Sequence, residues 1–123
     1  MARILLAEDD SSTRQFLASA IAKAGHDVTA CADGLEAAQE LATALAKNKN
    51  FDLLLTDIVM PGMDGIELSA RARKVMPAIK VMMITGFAAM AANDSTTEAP
   101  AKIISKPFHL GTVITEIEKT LKA

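Results

Sequence analysis

The chain has 123 residues, half of them hydrophobic, and a formal net charge of −2 at pH 7. A chain of this length builds one domain with a sizeable core, and its nearly balanced charge disfavours nucleic-acid binding. No apolar stretch reaches the roughly eighteen residues that a membrane helix needs, and acids follow the N-terminus too soon for a signal peptide. We therefore expect a cytoplasmic protein.

A first strand is predicted at residues 3–7, which form a short apolar run. Directly after it stand three acids: Glu8, Asp9 and Asp10. Serine and threonine follow, the types that cap helices, and apolar residues then recur at helical spacing: Phe16, Leu17, Ala20, Ile21 and Ala24. Gly25 ends this helix, and His26 in the next turn is expected to be a solvated loop residue.

The second strand is predicted at residues 27–31, at an edge of the sheet, because it alternates only weakly and carries β-branched residues. Its last residue, Cys31, is the only cysteine, so it forms no internal disulfide and is expected in the core. Asp33 and Glu36 form a capping pattern that opens a second helix. The apolar face of that helix is predicted to hold four residues: Leu35, Ala38, Ala42 and Leu45.

The third strand ends abruptly on an acid. Leu53, Leu54 and Leu55 are apolar at successive positions, which predicts burial of both faces, as in the middle of a parallel sheet. The run stops at Asp57, and the Pro-Gly pair at 61–62 forces a loop soon afterwards. Asp57 is therefore predicted to lie at the carboxyl end of a central strand.

Beyond this loop, Asp64 opens a third helix with the same capping pattern. A fourth strand at residues 79–84 ends on Thr85, and a fifth at 101–105 ends on Lys106. A last helix carries apolar residues at helical spacing: Leu110, Val113, Ile114, Ile117 and Leu121. Between the last two strands, residues 86–100 predict only a short alanine-rich helix and a polar loop.

Strands alternating with helices predict an α/β fold, a three-layer, doubly wound, five-stranded parallel sheet. Sites in such folds lie beyond the carboxyl ends of the strands. Five polar residues stand at those ends: Glu8, Asp9, Asp57, Thr85 and Lys106. Three crowded acids repel one another unless a cation lies among them, and oxygen ligands suit Mg²⁺. We therefore expect Mg²⁺ to be held by the three acids and the backbone carbonyl of Val59.

The same convergence predicts phosphoryl chemistry. A phosphoryl group on Asp57 would share its charge with the metal ion, Lys106 and the Thr85 hydroxyl, so Asp57 is the candidate nucleophile. Asp10 and Asp64 are predicted to be helix caps. A dehalogenase-type phosphatase, a Toprim-type nuclease and a flavin carrier are rival α/β classes. The first two need an Asp-x-Asp pattern at places where this chain lacks it, and the third needs a phosphate loop and aromatic partners.

These motifs resemble the receiver domain of bacterial two-component response regulators, which has the fold of chemotaxis regulators. The resemblance spans the whole chain and rests on four stretches: Glu8-Asp9-Asp10, Leu55-Thr56-Asp57 with Met60-Pro61-Gly62-Met63-Asp64-Gly65, Thr85, and Lys106-Pro107-Phe108. It implies the flavodoxin-like strand order 2-1-3-4-5 and one receiver domain over residues 1–123 without an output domain. It further implies that Asp57 accepts a phosphoryl group from a histidine kinase or histidine phosphotransferase, with Glu8 and Asp9 as Mg²⁺ acids.

Longer stretches are similar to a subgroup of stand-alone receivers: residues 2–10, 53–61, 84–89 and 105–110. That resemblance implies a monomeric adaptor, not an enzyme, that when unphosphorylated primes the ClpXP protease through its ClpX unfoldase. The alternative is a diffusible phosphorelay intermediate, or another stand-alone receiver without a protease role.

Two features depart from the usual receiver pattern. An aromatic residue commonly stands three positions before the lysine, and here Ile103 takes its place, so we expect the signal to pass through residues 86–100 instead. Val59 and Phe87 flank the expected phosphoryl position and are apolar. They are expected either to pack beneath the loop or to limit the access of water and prolong the phosphoryl mark.

Overall fold

The computed structural model describes residues 2–85, 102–105 and 108–122. Its elements in chain order are β1 (Arg3–Ala7), α1 (Ser11–Lys23), β2 (Asp27–Cys31), α2 (Gly34–Ala46), β3 (Leu53–Asp57), α3 (Gly65–Val75), β4 (Lys80–Thr85), β5 (Lys102–Ser105) and α4 (Leu110–Lys122). The helix predicted within residues 86–100, and with it Phe87, lies outside the described residues, as does Lys106. Among the described helices, none is both long and apolar enough to cross a membrane.

The five strands form one parallel sheet in the order β2-β1-β3-β4-β5, which confirms the predicted order. β2 lies at the edge and β3 at the centre, where Leu53, Leu54 and Leu55 have no solvent exposure. The chain proceeds from β1 to one side of the sheet and then returns to the other. Such a reversal leaves a crevice at the carboxyl ends of β1 and β3, where ligands of doubly wound folds bind.

Two hydrophobic clusters cover the two faces of the sheet, because successive strand residues point to opposite sides. One cluster joins the sheet to α2 and α3 and includes Leu5, Leu54, Met83, Leu41 and Leu68. The other joins it to α1 and α4 and includes Leu6, Leu55, Ile84, Leu17 and Val113. The sheet is therefore the middle of three layers, as predicted.

Aspartates cap three helices. The side chains of Asp10, Asp33 and Asp64 each accept a hydrogen bond of 2.8 Å from the backbone N–H three residues on. Such a cap contributes about 1 kcal/mol to stability because it satisfies a donor that the helix leaves open. The predicted capping roles of Asp10 and Asp64 are confirmed.

Several predicted helix faces are wrong. Phe16, Leu35 and Leu45, expected on buried faces, are 59, 56 and 42% exposed. The buried residues of α2 are Gly34, Ala37, Leu41 and Ala44. Both stripes of α2 have helical spacing, so periodicity alone could not choose between them. Small side chains at the buried positions let α2 lie close to the sheet.

His26 is not solvated. Its side chain is only 8% exposed, with Nε2 lying 2.6 Å from Oε1 of Glu118 on α4. Its Nδ1 accepts a hydrogen bond of 3.3 Å from the backbone N–H of Ala2. The preceding turn follows the prediction, since Gly25 has a φ of 97°. The sequence placed His26 correctly in the turn but could not show that α4 returns to cover it.

Candidate functional site

Three carboxylates meet at the carboxyl ends of β1 and β3. Glu8, Asp9 and Asp57 each contribute an oxygen, and these oxygens all lie within 4.8 Å of one another. The strand register explains the meeting: Ala7 pairs with Thr56, so the next residue of each strand reaches the same level. The predicted convergence of the three acids is thus present.

The three acids differ in exposure. Glu8 is 1% and Asp57 7% exposed, whereas Asp9 is exposed. Two buried carboxylates with a third beside them are unfavourable without a balancing cation. The donors are all oxygens, which a hard ion such as Mg²⁺ prefers, and the exposure of Asp9 would leave room for the waters that such an ion retains. The donor set therefore fits Mg²⁺.

The backbone of Glu8 is held by contacts that the sequence did not reveal. Its N–H donates to the carbonyl oxygen of Cys31 at 3.1 Å, and its carbonyl oxygen accepts from Nη1 of Arg14 at 2.9 Å. Oε2 of Glu8 accepts from the backbone N–H of Asp10 at 3.0 Å. Arg14 thus ties α1 to the acid site, although no motif marks an arginine at this position.

Two neighbours fix the peptide of Asp57. Oγ1 of Thr56 donates to the Asp57 carbonyl oxygen at 2.8 Å, and both residues are buried. Gly65 packs so closely that a Cβ atom there would overlap the same carbonyl oxygen, while its N–H donates to Ile58 at 2.8 Å. Gly65 belongs to one of the stretches that carry the resemblance to receivers, but the sequence predicted no contact between it and Asp57.

β4 brings Thr85 beside the acids. Asp57 pairs with Ile84, so Thr85 stands one residue further along the adjacent strand, and it is fully buried. Thr85 in turn pairs with Ser105, the residue before Lys106 in the sequence. Lys106 lies outside the described residues, so its position near the acids stays a prediction.

The apolar residue next to the site does not pack beneath the loop. Val59 is 48% exposed, two residues beyond Asp57. Its predicted effect on water access, and its carbonyl as a metal ligand, stay predictions. Ile103 is half-buried and packs against the α2 and α3 side of the core, as expected of an ordinary strand residue.

Comparison with known proteins places this site in a family. The sequence model of the response regulator receiver domain family matches residues 4–118 of this chain. The chain belongs to the response regulator receiver family. It is similar to the response regulator receiver protein CpdR of Brucella abortus, with 53% identity over 124 residues that cover all of this chain and 99% of the relative. It is also 31% identical to the sensor kinase CckA of that species, over 98% of this receiver but 13% of the kinase.

Solved receivers share the fold. A response regulator receiver from Sinorhizobium medicae superposes with a TM-score of 0.85 at 29% identity, covering 99% of this receiver and 95% of that chain. The receiver domain of the hybrid histidine kinase CckA gives a TM-score of 0.79 at 31% identity, and the match covers 97% of this receiver and 98% of that chain. This receiver is therefore a two-component signalling domain with the flavodoxin-like fold.

Proposed function

We propose that this receiver is a phosphorylation-controlled adaptor of the CpdR type, with Asp57 as its phosphoacceptor. The observation that carries the proposal is the meeting of the Glu8, Asp9 and Asp57 carboxylates within 4.8 Å, in a chain 53% identical to CpdR over its full length. Buried acids at a crevice of a doubly wound sheet fit a site that takes up a cation and a phosphoryl group.

In the proposed reaction, Asp57 attacks the phosphohistidine of a histidine kinase or histidine phosphotransferase. A carboxylate oxygen forms the new O–P bond while the N–P bond breaks, and the imidazole leaves with the electron pair and takes up a proton. Mg²⁺, held by Glu8, Asp9 and Asp57, supplies neutralisation of the phosphoryl charge when bound. The hydroxyl of Thr85 and the ammonium of Lys106 donate hydrogen bonds to phosphoryl oxygens.

The chain's own residues supply the positioning that such a transfer requires. Thr56 and Gly65 fix the Asp57 peptide from two sides, and Arg14 fixes that of Glu8. Fixed groups cost little reorganisation when charge moves from donor to acceptor. The receiver promotes transfer to itself and later hydrolysis, and it acts as a signal rather than on an external substrate.

In the proposed output, the unphosphorylated receiver binds the ClpX unfoldase and primes the cytoplasmic ClpXP protease, in proteolysis linked to the cell cycle. Phosphorylation of Asp57 withdraws this activity. The likeness to CpdR supports this role. The likeness to the CckA receiver favours a second candidate, a diffusible intermediate that passes phosphoryl groups between kinase and phosphotransferase.

A binding experiment separates the two candidates. Purified ClpX and a purified histidine phosphotransferase are each offered to immobilised wild type, to wild type phosphorylated by acetyl phosphate and Mg²⁺, and to Asp57→Ala. We expect ClpX to bind the unmodified wild type and Asp57→Ala equally, and the phosphorylated form at least tenfold less. Asp27→Ala removes an exposed acid at the far edge of the sheet and should respond like wild type. Binding of a phosphotransferase but of no ClpX to any form would support the relay and overturn the adaptor.

A further inference from the structure

A groove of about 680 Å³ runs between α2 and α3. One wall is a stripe of α2 residues at helical spacing: Ala38, Leu41, Ala42, Leu45 and Ala46. The other wall is Val75 of α3, with Arg71 and Lys74 beside it. Apart from Ala38, these positions lie in the second half of each helix, and helices that return between parallel strands end at the amino edge of the sheet. The groove is therefore remote from Asp57.

The floor of the groove is apolar but open to water. Leu45 is 42% exposed, and Ala42 and Ala46 are also exposed. α2 already buries Leu41 and Ala44 against the sheet. The exposed part of the stripe is therefore not needed for folding the helix onto the core. An apolar groove that stays open to water can bury the apolar side chains of a partner.

The charges near the groove are sorted by sign. Arg71 and Lys74 line the groove. The acids of α2, Glu36 and Glu40, lie instead on the side of β2, close to its last residue, Cys31. Burial and, after it, the charges of these two acids together raise the pKa of the Cys31 thiol to about 12. Glu67 reaches Arg71 across 3.8 Å, but both side chains are more than half exposed. An exposed pair of this kind holds its partners weakly, so Arg71 can engage another carboxylate.

We infer that this groove docks an acidic amphipathic helix of a partner protein. Its apolar side chains, spaced three and four residues apart, would lie along the α2 stripe, and its carboxylates would face Arg71 and Lys74. The stripe spans eight residue steps, about 12 Å at the rise of an α-helix, which matches a partner segment of roughly two turns. A basic segment would be repelled by both cations.

The inference does not rest on the proposed adaptor role. Because most of the groove lies toward the edge of the sheet opposite the acid site, docking should be independent of the state of Asp57. Combined with the proposed adaptor role, this would let a single receiver hold one partner constantly and another only when unphosphorylated.

Photo-cross-linking identifies the occupant. p-Benzoylphenylalanine replaces Ala42 in the groove or, as a control, Ala22 on the exposed face of α1, and cells of the source organism are irradiated. Mass spectrometry then sequences the cross-linked peptide. We expect position 42, but not position 22, to capture a segment with apolar residues at helical spacing and at least two acids. Capture of a second copy of this chain, of a segment without acids, or of nothing beyond the control would overturn the inference.

The captured segment, made as a labelled synthetic peptide, is then titrated with receiver variants. Arg71→Glu with Lys74→Glu should weaken binding at least tenfold, and Ala42→Trp should weaken it by filling the groove. The matched control is Lys23→Glu with Lys119→Glu, which changes charge equally on other helices and also removes an ion pair of 3.8 Å, that between Lys119 and Glu116. It should change the affinity less than twofold, as should Asp57→Ala. Equal losses in both double variants would show attraction by net charge alone and overturn specific docking.

Discussion

Gly65 lies against the backbone carbonyl of Asp57 so closely that any side chain there would overlap it. The carbonyl cannot retreat without disturbing the hydrogen bond that it accepts from Thr56. We expect Gly65→Ala to lower the free energy of unfolding by about 2 kcal/mol, the cost of crowding a packed interior. It should also slow phosphoryl uptake from acetyl phosphate, because the peptide of Asp57 shifts. Urea unfolding and a labelling time course measure the two effects.

Gly111 provides the control, since a Cβ atom there would meet nothing within 4 Å. It lies in the first turn of α4, so Gly111→Ala should leave stability unchanged or raise it by up to about 1 kcal/mol. Equal losses in the two variants would show that overlap with the Asp57 carbonyl is not what destabilises Gly65→Ala.

The acid cluster predicts a graded response to Mg²⁺. Glu8→Gln and Asp9→Asn each remove a charged ligand and should weaken Mg²⁺ binding at least tenfold in calorimetric titration. Asp10→Asn removes a neighbouring charge but retains a capping side chain for Thr13, so its effect should stay below threefold. A loss in Asp10→Asn as large as in Asp9→Asn would mean that net charge, not ligation, governs binding.

Crowding of the acids also predicts a metal-dependent gain in stability. Without Mg²⁺, Asp57→Asn relieves repulsion from Glu8 and Asp9 and should raise the free energy of unfolding by about 1 kcal/mol. Saturating Mg²⁺ should stabilise wild type more than Asp57→Asn, so that wild type then has the higher free energy of unfolding. Denaturant titrations with EDTA and with Mg²⁺ test this, and an unchanged order would argue against a metal at the cluster.

The bond between His26 and Glu118 joins the turn after α1 to the last helix. Because Nδ1 of His26 accepts from Ala2, Nε2 carries the hydrogen and donates to Glu118. His26→Ala should lower the free energy of unfolding by about 1–3 kcal/mol, since it also leaves the Ala2 N–H unsatisfied. His109, the other histidine, is exposed, and His109→Ala should change stability by less than about 0.5 kcal/mol. Similar losses in both variants would contradict this account.

The Cys31 thiol predicts a loss of stability in alkali. Burial, followed by the charge of Glu36, raises its pKa from 9.0 to about 12. Above pH 9 the unfolded chain gives up this proton while the folded chain retains it. Unfolding is thereby favoured, by about 1.4 kcal/mol for each pH unit up to pH 12. Cys31→Ala has no thiol and should not show this fall of the unfolding free energy with pH. The advantage of wild type over Cys31→Ala in unfolding free energy should therefore narrow as the pH rises from 9 to 12. A constant difference would exclude the effect.

Most of the fold followed from two local patterns: apolar runs that end on polar residues, and aspartates that open helices. The leucines of β3 gave the centre of the sheet, and the acids after β1 and β3 gave the site, because parallel strands bring their carboxyl ends to one edge. Long-range contacts had no such signature. The burial of His26 was not predicted because its partner lies on the last helix, and the roles of Arg14 and Gly65 depend on backbone atoms that no pattern identifies. Leu45 was assigned to the core because the two stripes of α2 have the same period.

The native receiver should not react with thiol reagents, because Cys31 is its only cysteine and is only 1% exposed. Any cysteine introduced at the surface would therefore be the sole site of labelling, and no native thiol need be removed first. Because the chain has neither Trp nor Tyr, a fluorophore attached there would also report without an intrinsic background. One probe at the acid site and another in the groove, made in separate proteins, could follow phosphorylation and docking as independent signals in an otherwise unaltered molecule.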